Sequence, residues 1–201
     1  MKQASRLFRL LTLPAAFLLL SGSLCEQKPP ERQWDRGAFQ SLPANTKHYQ
    51  LPARVSIVTM CGYDDYIPMS DLPLLLTVHN SGQSDVVVTF PAGLVFSTSN
   101  TDYQYMMLLQ DCSFTAEVGL DRDVLLPTYC CNEELEEPDE ESFYFISGRE
   151  WDRETEELLD LVADKALGGD DAVALAQDAL FEITDGDSLT DSTRTLLRNL
   201  P

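Results

Sequence analysis

Residues 74–98 read LLLTVHNSGQSDVVVTFPAGLVFST. Three runs of aliphatic and β-branched residues, at 74–79, 86–90 and 94–98, are separated by two breaks, Asn80-Ser81-Gly82 and Pro91-Ala92-Gly93. β-Branched side chains suit a pleated, half-buried surface, and Gly, Pro and Asn between such runs reverse the chain. The same rhythm continues in both directions. Upstream lies 55–59 (VSIVT); downstream lie 103–109, 112–118, 124–131 and 143–146. Some eight short strands with turn chemistry every ~8–12 residues predict an Ig-like antiparallel β-sandwich over residues 47–148.

Between the last two strands, residues 133–141 (EELEEPDEE) hold seven acids in nine positions. Such a run cannot pack, so it reads as a solvated connector; calcium ligands need alternating spacing and a tight turn. After Gly148 the period changes. Residues 151–167 carry acids early and Lys165 late, as a helix dipole prefers, and Gly168-Gly169 ends the run. Asp170 or Asp171 is the expected cap of a second helix reaching about residue 182. Ser188 and Asp191 resemble a capping box opening a third helix that ends near Leu200. Residues 149–201 are therefore expected to form a small C-terminal α-helical subdomain, and the fold class is mainly β.

The N-terminus has the layout of a secretory signal peptide over residues 1–24. Lys2, Arg6 and Arg9 precede the apolar run 10–20 (LLTLPAAFLLL), and Ser21-Gly22-Ser23 follows. The apolar run is far shorter than the ~20 residues a membrane-crossing helix needs. A cysteine just past the exit resembles a bacterial lipoprotein, which implies lipidation of Cys25 and anchoring to the membrane, each buried CH₂ contributing ~0.8 kcal/mol. Cleavage after Ser23, giving a soluble secreted protein, is the alternative. Residues 25–46, polar and containing Pro29-Pro30, read as a flexible tether.

The formal net charge is −19, and the signal peptide contributes three cations and no acid. A chain this acidic repels nucleic-acid phosphates and anionic headgroups, so nucleic acid is excluded as a partner. In an exported protein with Cys25 lipidated, the other four cysteines would be even in number, and two disulfides are expected among Cys61, Cys112, Cys130 and Cys131. None should be vicinal, because strand neighbours point to opposite faces. The connectivity stays open. There is no CxxC pair, and His48 and His79 lie apart from any cluster, so neither a metal nor another cofactor is expected.

In helix 171–182 (DAVALAQDALFE) the charges form one stripe, and Gln177 sits at the edge of a largely apolar surface. A buried amide requires partners. Tyr129-Cys130 with Asn132, followed by Gln177-x-x-Leu180-Phe181 and Ile183-Thr184-Asp185, resembles the thioester domains of Gram-positive surface adhesins. That resemblance implies condensation of the Cys130 thiol with the Gln177 amide, giving an acyl group that captures a nucleophile. The broader pattern over 75–187, with its Pro-Ala-Gly strands, Tyr-Cys strand and Ala-Gln…Ile-Thr-Asp-Gly helix, resembles a family of uncharacterised exported bacterial proteins and implies no activity.

Enzyme signatures are sparse. No Gly-x-Ser-x-Gly or phosphate-binding Gly-rich loop occurs. His79, beside a turn, reads as structural. Asp185, Asp187 and Asp191 read as helix-capping acids, because a calcium loop starting at Asp185 would have Leu189 at its fifth position and no Glu at its twelfth. The sequence therefore points to a non-catalytic, envelope-associated interaction module for a protein or glycan partner. A thioester-forming adhesin-like domain and a hydrolase with an unidentified carboxylate site are the alternatives.

Overall fold

The computed structural model describes residues 48–65, 67–70, 72–149, 152–186 and 188–201. The signal peptide, Cys25 and the whole of the tether lie outside the described residues. Nine strands precede three helices: β1 (Val55–Gly62), β2 (Leu74–Asn80), β3 (Val86–Phe90), β4 (Leu94–Thr98), β5 (Met106–Leu108), β6 (Cys112–Ala116), β7 (Asp121–Leu126), β8 (Thr128–Cys130), β9 (Tyr144–Arg149), α1 (Arg153–Val162), α2 (Asp170–Thr184) and α3 (Asp191–Arg198). The chain is mainly β, as expected, with its helices at the C-terminal end.

All strand pairs are antiparallel and fall into three sheets: β1-β2-β7, β3-β6, and β8-β5-β4-β9. The four-stranded sheet lies at the centre because both of its faces are apolar. All five residues of β4 are buried. Its Leu94 and Phe96 join Met106, Leu108, Cys130 and Tyr144 in a core shared with the other two sheets, which supply Leu74, Leu76, Val78, Val88, Phe90 and Phe114. Its Val95, Met107 and Tyr129, with Cys131 just past β8, face the other way, into a second core with Leu158, Val162, Ala176, Leu180, Ile183 and Leu197 of the helices. The helices thus form a layer over the sandwich. Each fully buried aliphatic contributes ~1.5–3 kcal/mol of burial.

An aromatic group stands in the sandwich core. Phe90 meets Tyr49 at 5.3 Å, Phe114 at 5.6 Å and Phe96 at 6.1 Å between ring centroids, all edge-on, the geometry ring quadrupoles favour. The break at Asn80 is held by its own side chain. Asn80 Nδ2 donates to Ser84 O and Ala116 O, while Gly82 N donates to Asn80 Oδ1.

Several local expectations change. The run 124–131 is two strands in different sheets, β7 and β8, divided at Pro127. Proline lacks the N–H that a central ladder needs, so the chain leaves one sheet there and enters the other. β5 is shorter than 103–109, because Asn100 and Asp102 make a side-chain-supported turn and Gln104 N donates to Glu136 O instead of to a strand. Gly169, not an aspartate, caps α2; its φ of +98° suits glycine, and Asp170 and Asp171 fall in the first turn, where the helix dipole favours acids. Thr190, not Ser188, caps α3, accepting from Thr193 N, and Glu182 of α2 binds both threonines.

The acidic connector is solvated, as read, yet pinned. Tyr103 Oη donates to Asp139 Oδ2 at 2.9 Å, and Glu141 N and Ser142 N donate to Asp139 Oδ1. That set of donors, the phenol first, holds the Asp139 carboxyl below its usual range.

Candidate functional site

Two places carry the chemistry that the sequence singled out. The first is the edge of the four-stranded sheet at β8. Cys130 N donates to Gln177 Oε1 at 2.8 Å, and Gln177 Nε2 donates to Cys130 O at 2.8 Å. Cys131 N turns the opposite way and donates to Tyr105 O beside β5. Alternate residues of a strand aim their backbone groups to alternate sides, so the outward pair of Cys130 would be orphaned without Gln177. The apolar stripe of α2 packs against this sheet, and Gln177 is buried at its edge. The two residues joined by the adhesin resemblance are therefore in direct contact through backbone and amide.

Around them lie further buried polar groups. Asn132 is buried and its Oδ1 has no hydrogen-bond partner; the same holds for Oε1 of Gln104. Tyr144 Oη donates to Gln104 O at 2.8 Å. Burial, and then the nearness of Cys130, pushes the Tyr144 phenol well above its ordinary range, so it stays protonated.

The expected disulfides are absent among the described residues: Cys61, Cys112, Cys130 and Cys131 are all thiols. The register explains this. Cys61 is opposite Leu75 on one side and Phe143 on the other, Cys112 is opposite Phe90, and Cys130 is opposite Met106. Cys130 and Cys131 enter different cores. No cysteine has a cysteine across from it, and a bridge requires Cβ atoms ~3.5–4.5 Å apart. Burial raises the pKa of the Cys112 and Cys61 thiols, and Glu140 and Asp64 add to the effect at Cys61.

The second place is the outward face of the three-stranded sheet. Here Phe143, Cys61, Leu75 and Leu125 stand in one register row across four chain segments. Residues opposite one another in an antiparallel pair share a face. Phe143 is 64 % exposed and Phe145, two positions on, is 50 % exposed; the other three are half-buried. A bulge in β1 between Ile57 and Thr59 interrupts the pairing there, and Val58 is exposed. The next row pairs Thr77 with Asp123, whose side chains bond at 2.6 Å.

The row beyond brings Ser56, His79 and Asp121 together by register, and His79 Nδ1 lies 2.7 Å from Asp121 Oδ1. The His–Asp contact has the geometry of an oriented base, but both side chains are solvent-exposed on neighbouring strands of the sheet. His79 is thus part of a surface cross-strand pair. Asp185 accepts from Glu133 N and from Thr184 Oγ1, tying the connector to the end of α2. Among the described residues no group of three or more His, Cys, Asp or Glu side chains is placed to hold a metal ion.

Sequence reasoning missed the apolar row. Leu75 and Leu125 look like core residues in runs such as LLL and VLL; only the register places them outward. Phe143 and Phe145 alternate with Tyr144 and Ile146, and that alternation was the available signal.

No family model, curated protein or solved structure matches this chain.

Proposed function

We propose that this protein is a non-catalytic interaction module of the cell envelope, exported through its N-terminal signal, held to the membrane by lipid on Cys25, and binding a protein or glycan partner. The observation that carries the binding role is the outward row Phe143–Cys61–Leu75–Leu125, in which Phe143 and its neighbour Phe145 are exposed and the other three half-buried. Contiguous apolar surface bordered by polar groups marks interaction sites on folded domains, and two exposed phenylalanines on one strand face are the residue type that anchors interfaces. The test is binding of the purified full chain to envelope fractions and to a glycan array, with the double substitution Phe143→Ser, Phe145→Ser as the comparison. Retention by either is expected and should be lost in the variant; equal retention by wild type and variant removes this face from the function.

The Gln177–Cys130 contact favours a second reading, a thioester-forming domain. In that reaction the Cys130 sulfur attacks Cδ of Gln177. The C–S bond forms, the C–N bond breaks, and the thiol proton leaves with the amide nitrogen as ammonia. Intact mass decides: a loss of about 17 Da that Cys130→Ala abolishes, with methylamine adding at Gln177, establishes the activated acyl group. An unshifted mass leaves Gln177 as a structural amide.

A further inference from the structure

The apolar row is bordered by carboxylates and carries no lysine or arginine. At the end nearest Cys61 lie Asp64 and Glu140, close enough to that thiol to disfavour its ionisation. Asp123 and Asp121 stand on the same face one and two rows away. The cation of β7, Arg122, pairs with Glu117 and stands opposite the buried Val78, so it turns away from this face. Of the other arginines among the described residues, Arg54 precedes β1, Arg149 ends β9 four positions beyond Phe145, and Arg153, Arg194 and Arg198 lie on the helices. Three of these are engaged by Glu156, Glu154 and Glu157. The face therefore offers an apolar strip, two exposed phenylalanines and two half-buried leucines, flanked by the carboxylates of Asp64, Glu140, Asp123 and Asp121.

The strip also lies beside unfilled strand edges. Among the described residues, the Cys61–Phe143 bridge and Gly62 N donating to Ser142 O at 3.3 Å join β1 to the segment leading into β9. Beyond that point β1 and β9 are the outer strands of different sheets. The row runs across the strands at ~4.8 Å per strand, so a chain seated on it crosses the sheet face, and the outer edge of β1 offers it backbone donors and acceptors where it passes.

We infer that this face docks an extended basic peptide whose alternate residues are apolar, the apolar ones seated on Phe143, Phe145, Leu75 and Leu125 and the basic ones facing Asp64, Glu140 and Asp123. The inference rests on the binding-module reading above and names its partner class. A neutral glycan would use the aromatic rings but leave the carboxylates without a role. An anionic partner or membrane would be repelled by them.

The full chain, labelled with ¹⁵N, is titrated with three synthetic octapeptides: alternating Lys-Val, alternating Lys-Ser and alternating Glu-Val. The expected result is saturable binding of Lys-Val alone, with amide shifts concentrated at Cys61, Leu75, Leu125 and residues 142–147. Affinity should fall ~10-fold between low and ~0.3 M salt, because exposed charges are screened over a few ångströms. Phe143→Ser with Phe145→Ser should abolish the shifts. Asp123→Asn with Glu140→Gln should weaken binding while leaving the apolar strip intact; all these positions are exposed, so the variants keep the wild-type unfolding midpoint. Equal binding of Lys-Ser, shifts centred elsewhere, or no binding overturns the inference. So does salt-insensitive binding of a neutral oligosaccharide, or self-association that needs Phe143, which would make the occupant a second copy. If the phenylalanine variant loses envelope binding while Lys-Val does not bind, the interaction module stands and only its basic partner falls.

Discussion

The side-chain amide of Gln177 makes to Cys130 both hydrogen bonds that a neighbouring strand would make, one donated and one accepted, each at 2.8 Å. A helix residue thereby closes the outer edge of β8. An open edge there would invite pairing with another chain.

That relationship predicts a pH-dependent variant. Gln177→Leu leaves a buried N–H and C=O of Cys130 unsatisfied and should cost ~2–6 kcal/mol, at ~1–3 kcal/mol per orphaned group. Gln177→Glu places a carboxylate, which only accepts, against Cys130 O. Its folded pKa is raised, so the acid form, which can both donate and accept, is the stable one. Stability should therefore be highest below the ordinary Glu value of ~4.3 and fall as pH rises through the raised folded value. Urea unfolding of this variant from pH 4 to pH 7 measures it; a flat profile contradicts the two-bond geometry.

Gly62 predicts a backbone clash. A Cβ placed on it would lie 2.5 Å from both the N and the O of Asp139. No side-chain rotation relieves contact with backbone, so Gly62→Ala must displace the acidic connector, at ~1–3 kcal/mol for an overpacked site. The Tyr103–Asp139 hydrogen bond should weaken with it. Ultraviolet titration would then show a tyrosine moving back toward its ordinary pKa; an unchanged titration and midpoint would contradict the placement.

The cysteines give a labelling prediction. Cys61 and Cys112 are half-buried with raised pKa values, whereas Cys130 and Cys131 are buried in the two cores. A disulfide reagent at pH 7 should modify Cys61 and Cys112 slowly, faster as pH rises past the ordinary thiol value of ~8.5, because only the thiolate reacts. Cys130 and Cys131 should react only after denaturant is added. Peptide mapping of the labelled sites decides, and early labelling of Cys130 would count against its burial.

The helical layer predicts an acid sensitivity. Arg194 Nε and Nη2 donate to the Glu157 carboxylate at 2.7 and 3.0 Å, joining α3 to α1. The Arg194 hydrogen bonds hold Glu157 below its usual range. A lowered folded pKa means that the contribution is full above the ordinary ~4.3 and is lost as pH falls through the folded value. Both side chains are partly exposed, so the effect is a fraction of a kcal/mol. Glu157→Gln should flatten the stability profile below pH 4.3 relative to wild type in guanidinium titrations.

The strands were legible where turn chemistry was strong. Asn80-Ser81-Gly82 and Pro91-Ala92-Gly93 mark breaks that the structure keeps, and β3 and β4 fall where the runs place them. Pro127 was equally visible, yet its consequence was not. A missing N–H says that a ladder stops, not that the next residues join another sheet. The burial of Gln177 was legible from the helix period; its partner was not, since that depends on which strand edge the helix crosses. The outward row was hidden for a related reason. Leu75 and Leu125 have the composition of core residues, and only pairing register, a long-range property, assigns their face.

The four-stranded sheet has a core on each side, and the second is completed by the last fifty residues of the chain. Synthesis proceeds from the other end. Every intermediate lacking α1–α3 therefore carries Val95, Met107, Leu109, Tyr129 and Cys131 on a bare, greasy surface, with the β8 edge unsealed. Such a species is aggregation-prone. A chain truncated near residue 150 is thus a sandwich missing one of its walls, and a nascent chain at that length is a natural client for a holding chaperone.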